Sequence, residues 1–211
     1  MSGLFISFEG GEGGGKSTQI ALLKERLERQ GYAIVLTREP GGPPSAEAIR
    51  NLLITGKVDR WDDVTEALLM NAARAENLSK TILPALAQGK IVLCDRFADS
   101  SRAYQGAAGG IDETVISALE NIVVGTHWPD ITFILDLPVE DGLARAGGRG
   151  DANRFEDKQQ SYHEAVRQGF LKIAATEPER CHVIDARQPI DKIADKILAA
   201  VEAKLESRHG R

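Results

Sequence analysis

Five short runs rich in β-branched and apolar residues punctuate the chain: "LFISFE" (4–9), "AIVLT" (33–37), "KIVLCD" (90–95), "ITFILDL" (131–137) and "CHVIDA" (181–186). Each is mostly apolar on both faces, the pattern of a parallel strand covered by helices on either side. Between them the spacing predicts helices over 17–30, 46–53, 62–88, 113–124, 139–146, 155–175 and 189–205. This alternation of strand and helix reads as a three-layer α/β fold built on a five-stranded parallel sheet. In such sheets ligands sit beyond the carboxyl ends of the strands. Function is therefore sought in the residues that follow each run.

The first such place is "GGEGGGKST" (10–18). Gly10, four residues, then Gly15, Lys16 and Ser17 match G-x-x-x-x-G-K-[ST] directly after a strand and directly before a helix, the context this phosphate-binding loop needs. Gly10, Gly11, Gly13, Gly14 and Gly15 free the backbone to turn its N–H groups toward phosphate oxygens, and the helix opening at Lys16, Ser17 and Thr18 adds partial positive charge. Lys16 is placed to reach the β and γ phosphates and Ser17 to bind Mg²⁺. The expected architecture is thus the three-layer P-loop NTPase fold. A phosphate cradle alone does not choose between switch, motor, transporter ATPase and kinase. The chain has neither an N-K-x-D base-reading motif nor an L-S-G-G-Q-like signature.

Composition narrows the field further. A length of 211 residues suits one domain, and 42% hydrophobic with 27% charged residues is ordinary for a globular protein. A mean hydropathy of -0.23 and the lack of a long uncharged apolar run argue against a membrane span. No basic segment followed by an apolar one opens the chain, so the cytoplasm is the expected location. A net charge of -5 argues against a protein that coats nucleic acid. Cys94 and Cys181 lie in apolar runs without C-x-x-C spacing and read as small buried hydrophobes. His127, His163, His182 and His209 show no ligand spacing and read as surface or packing residues.

Positive charge must then act locally, and arginines follow the other strands. "TREPGG" (37–42) sets Arg38 and Glu39 at the sheet edge, and "CDRFADSSRAYQG" (94–106) sets Asp95 and Arg96 there, followed by hydroxyls, an aromatic ring and an amide. Arg74 stands in the small and apolar stretch "LLMNAARAEN" (68–77). Asp95, ending an apolar strand, has the placement of an acid that holds Mg²⁺ directly or through water. "RAGGRGDANRFE" (145–156), rich in glycine and arginine, reads as a lid.

Taken together, "FEGGEGGGKST", "REPGG", "LLMNAARAE", "DRFADSSRAYQG", "PDITFILDLP" and "GLARAGGRGDANRFE" resemble the thymidylate kinases of bacterial type, P-loop enzymes that phosphorylate dTMP with ATP. The resemblance implies that Arg74 and Arg96 clamp the dTMP phosphate with help from Arg38. It implies that Ser101 and Gln105 read the thymine edge, that Tyr104 lines the sugar side and that Glu12 faces the deoxyribose. Met70 stands where the family usually has a phenylalanine stacked on the base. Arg149 is expected to supply transition-state charge from the lid, supported by Arg145 and Arg154, because the loop interior "GEGG" carries no basic residue. Glu9 is expected to be a strand-end contact near the metal or a backbone anchor. Family membership also implies a homodimer, with the 62–88 helix as a possible interface element. The alternatives are another nucleoside or nucleotide kinase of this class, or a non-catalytic ATP-binding regulator.

Overall fold

The computed structural model describes residues 3–57, 59–147 and 158–209. β1 (Leu4–Glu9) is the middle strand of a five-stranded sheet of order β2-β3-β1-β4-β5, with β2 Ile34–Arg38, β3 Ile91–Asp95, β4 Ile131–Asp136 and β5 Cys181–Asp185. Every pairing is parallel, and Phe8 lies opposite Asp95 on one side and Phe133 on the other. All carboxyl ends therefore share one edge, where Glu9, Arg38, Asp95, Asp136 and Asp185 come together in a row.

The period-two pattern of β1 divides its side chains between two cores. Leu4, Ile6 and Phe8 pack with Leu23 and Leu27 of α1 (Lys16–Arg29) and with Ile197 and Val201 of α9 (Ile190–His209). Phe5 packs on the opposite face with Val92, Cys94, Phe97 and Ile82. Each fully buried Leu, Ile or Phe stabilises the fold by about 1.5–3 kcal/mol. The outer strands differ from the expectation of full cover. Leu36 and Val183 remain about half exposed, because β2 and β5 are the edges of the sheet. Cys94 and Cys181 are buried and unbridged.

The remaining helices are α2 (Pro44–Ile54), α3 (Asp63–Asn77), α4 (Leu83–Ala87), α5 (Ala98–Ser101), α6 (Glu113–Val123), α7 (Val139–Ala146) and α8 (Gln160–Thr176). Asp62 and Asp112 start α3 and α6 by accepting from the backbone N–H of Thr65 at 3.0 Å and of Thr114 at 2.8 Å. The helix expected over 62–88 divides into α3, a π-helical stretch Leu78–Ile82 and α4. Pro84 has no N–H to give a carbonyl one turn earlier, and widening the turn before it accommodates that gap. A second departure is the helical path of 98–108, where α5 runs into a π-helical turn Arg102–Ala108. No helix among the described residues is long and apolar enough to cross a membrane.

The loop after β1 is held by a backbone-to-backbone contact with α7. A Cβ added to Gly13 would lie 2.1 Å from the carbonyl oxygen of Gly142, and one added to Gly142 would lie 2.5 Å from that of Glu12. Backbone cannot yield as a flexible side chain can. Gly142→Ala is expected to cost about 1–3 kcal/mol by urea unfolding. Gly147→Ala on the following turn, where the added carbon meets Leu143 O at an ordinary 3.5 Å, should stay within about 0.5 kcal/mol. Equal unfolding midpoints for the two variants would refute the contact's importance.

Candidate active site

Gly15, at φ 87°, opens α1 without a side-chain cap, leaving the first-turn N–H groups for an external acceptor. Lys16 folds back along the loop, its Nζ donating to the carbonyls of Gly10 at 3.1 Å and Gly11 at 2.9 Å. Burial first, and the Arg96 charge second, bring the Lys16 ammonium down to about 8, against the pull of Glu12 and Asp95. Ser17 Oγ donates to Asp95 Oδ2 at 3.2 Å, joining the helix opening to the end of β3. This hydroxyl and carboxylate are the hard oxygen donors that Mg²⁺ shares with substrate phosphates. No group of three or more His, Cys, Asp or Glu side chains converges among the described residues to form a metal cage. Thr18 lies exposed on the same first turn.

Arg96 follows Asp95 in a left-handed conformation, φ 69°, with its N–H on Phe8 O at 2.9 Å. Its guanidinium crosses to Gly10 O at 2.9 Å and Glu12 Oε1 at 2.9 Å and lies over the Tyr104 ring. Glu12 also accepts from the Tyr104 hydroxyl at 2.8 Å. Burial alone would raise the Glu12 carboxyl, but Arg96, Lys16 and that hydroxyl outweigh it and hold it at about 2. Glu9 is wholly buried and anchors the next turn, accepting from Phe97 N–H and contacting Ser100 Oγ, each at 2.6 Å. Burial, then the Asp99 charge, push its carboxyl up to about 8.

The Arg96, Glu12 and Tyr104 side chains form one end of a cleft holding about 640 Å³ of space, part of it open to solvent. Met70, Arg74, Ser101 and Gln105 also line its wall. Arg74 is almost fully buried. It donates to Glu39 Oε2 at 2.7 Å, Asn71 Oδ1 at 3.1 Å, Phe97 O at 3.2 Å and Ser101 Oγ at 3.0 Å. Its charge is thus matched within the wall. Arg38 is absent from the cleft lining, its guanidinium turned to Glu47 at 3.0 and 3.2 Å. In its place stands Arg50 of α2, held by Pro40 O at 2.8 Å. Burial, then Arg38, lower the Arg50 guanidinium's affinity for its proton, a cost that a bound anion would relieve.

Comparison with known proteins shows the family. The family model described as thymidylate kinase matches residues 8–197. The chain is 55% identical over 203 residues to a thymidylate kinase of Caulobacter vibrioides, covering 96% of this chain and 98% of the relative. It is 49% identical over 210 residues to one of Pseudomonas fluorescens, covering 100% of both.

The chain belongs to the thymidylate kinase family.

A crystal structure of thymidylate kinase from Ehrlichia chaffeensis superposes with a TM-score of 0.79 at 38% identity, covering 95% of this chain and 100% of that one. The shared architecture is the P-loop NTPase fold. Among residues that the thymidylate kinase resemblance singled out, the structure brings Glu12, Arg96, Tyr104, Met70, Arg74, Ser101 and Gln105 onto one cleft. Arg145 lies in the last turn of α7, its Nη1 on Ala186 O at 3.3 Å. Arg149 and Arg154 lie outside the described residues. Arg50 is the addition, while Glu39, set at the sheet edge by the sequence, takes Arg74 as its partner. Arg50 follows no strand, and its signal was its place in a helix opening directly after "REPGG".

The Glu9 environment gives a pH prediction. A carboxyl whose folded value lies above its unfolded value contributes stability that is complete below the unfolded value and is lost as pH rises through the folded one. For Glu9 that window runs from the ordinary 4.5 to about 8. Glu9→Gln imitates the protonated acid, so wild type should lose thermal stability relative to the variant as pH rises from about 5 to about 8.5. Parallel melting curves across that range would contradict a neutral Glu9.

Proposed function

We propose that this member of the thymidylate kinase family transfers the γ-phosphoryl group of ATP to dTMP in line, giving dTDP and ADP, with the cleft seating dTMP beside the P-loop. One observation carries the assignment of parts. A single cleft runs from the Arg96–Glu12 pair beside the phosphate loop to the buried polar wall of Arg74, Ser101 and Gln105.

On this reading ATP phosphates lie on the N–H groups of Gly10 through Thr18, with Lys16 turning from its carbonyl contacts to the β and γ phosphates. Ser17 and Asp95 would hold Mg²⁺, which when bound neutralises phosphate charge. Arg96 and Arg50 clamp the dTMP phosphate, a role supported by their place in the cleft lining and by the fit of guanidinium donors to phosphate oxygens. Arg38 acts outside that clamp. Arg74 supports the wall through Ser101, Met70 packs against the base, and Tyr104 and Glu12 face the sugar. A phosphate monoester has a second pKa near about 6, so the acceptor is largely dianionic at neutral pH and needs no general base. Catalysis reduces to aligning two polyanions and neutralising their repulsion. Arg149, with Arg145 and Arg154, is proposed to complete that neutralisation from the 145–156 segment.

We place the enzyme in the cytoplasm as a homodimer. The association is supported by Val64 and Leu68 of α3 and Ile122 of α6, which stand 52, 52 and 81% exposed.

Two measurements test the reading. Purified protein with MgATP should form ADP faster with dTMP than with dUMP, dCMP, dGMP or thymidine; equal rates would remove the thymidylate assignment. Arg50→Ala should raise the KM for dTMP about tenfold or more, as expected on losing a charge-assisted contact. Arg38→Ala should change it less than about twofold. The reverse ranking would return Arg38 to the clamp.

A further inference from the structure

Glu66 lies behind the cleft wall. It is buried on α3, does not line the cleft, and accepts from Gln105 Nε2 at 2.9 Å, while Gln105 is itself buried and lines the cleft. A carboxylate only accepts, so it takes the NH₂ side of the amide and turns the carbonyl Oε1 away from itself. Nε2 to Glu66 is the one side-chain hydrogen bond of Gln105 among the described residues, so that oxygen has no partner there. Ser101, which lines the same cleft, accepts at Oγ from Arg74 Nη2 at 3.0 Å, which leaves the hydroxyl hydrogen for another acceptor. The amide, ambiguous in isolation, is thereby given one polarity, and the hydroxyl keeps its hydrogen to donate.

We propose that Glu66 is a positioning residue for base selection: by pinning the Gln105 amide it presents an acceptor at the wall of the cleft that the Ser101 donor also lines, so that the site selects a base edge carrying N–H next to C=O. The inference rests on the proposed dTMP reading and deepens it. Thymine and uracil offer N3–H and O4, the complement of that pair. Cytosine offers a bare N3 lone pair and an amino group, so its lone pair faces the Gln105 oxygen, acceptor against acceptor. A buried site built to pair one pattern leaves its own groups unpaired when the other enters, the situation in which discrimination is largest. The device separates dTMP from dCMP and is blind to the 5-methyl group, so it contributes nothing to the choice between dTMP and dUMP.

Glu66→Gln is the informative change, because it keeps shape and packing and supplies an amide that can donate or accept. The Gln105 amide is then free to turn over. The ratio of kcat/KM for dTMP over dCMP should fall about tenfold or more, chiefly through KM for dTMP, while the dTMP over dUMP ratio stays within about twofold. The double variant Glu66→Gln with Gln105→Glu restores a donor behind and an acceptor in front, and should recover the dTMP over dCMP preference; it carries the test if the single variant does not fold. A merely structural Glu66 would lower the melting temperature and depress all three substrates in proportion. That proportional loss, or a swapped pair that regains no preference, would overturn the inference. A wild type that phosphorylates no dTMP would take down the functional reading itself, an outcome distinct from either.

Discussion

The Arg96 guanidinium reaches from the end of β3 past β1 to the Gly10 carbonyl and the Glu12 carboxylate, and the backbone beneath it is left-handed at φ 69°. A residue with a side chain held there costs on the order of 1–3 kcal/mol, so the surroundings must over-determine it. They do so from both directions. Phe8 O fixes the Arg96 N–H, and Glu9 takes the N–H of Phe97 immediately afterwards. The same few bonds set the phosphate loop, the end of the third strand and the start of the 98–108 turn. Removing Glu12 would leave Arg96 short of its counter-charge in a poorly solvated place, which costs far more than an exposed pair would.

Around that pair the charges are arranged for a guest that is strongly anionic. Lys16 and Arg50 are both less basic than usual, by burial first and by neighbouring arginines second. Those causes raise the free energy of the empty site, and a polyphosphate or phosphate monoester reverses them. Glu9 would oppose this if ionised, but its burial favours the neutral acid. Donors fixed before substrate arrives need no reorganisation during the reaction, which is the condition under which such electrostatics are most effective.

The sheet and the phosphate loop were legible because both depend on local patterns. Apolar runs recur at strand length, and glycines, Lys16 and Ser17 occur at fixed offsets. The predicted strands match the observed ones to within a residue or so at each end. The 98–108 path was not legible, since "ADSSRAYQGAA" has no helical apolar period. The buried residues of its π-helical part, Ala103, Tyr104 and Gln105, are consecutive, and α8 packs over Ala103 and Tyr104 through Val166 and Phe170. Arg50 was hidden for a related reason. A search along strand ends finds Arg38, whose partner Glu47 lies one helical turn before Arg50. Only the folded arrangement shows which of the two arginines faces the cleft.

The inner and outer faces of α3 make different demands, and their spacing explains how one helix meets both. Glu66, Met70 and Arg74 recur every four residues and so stand above one another on a single face. That row positions the Gln105 amide, lines the cleft and holds Ser101. Val64 and Leu68 belong to the other side and remain half exposed. A wall whose polarity depends on hydrogen bonds near 3 Å tolerates little helix movement, because those bonds weaken steeply with misalignment. Burying the outer row against a second copy would hold α3 from behind. Base selection and association would then share one element, and loosening the outer face would be felt at Gln105 before it was felt at the phosphate loop, which is anchored separately through Arg96 and α7.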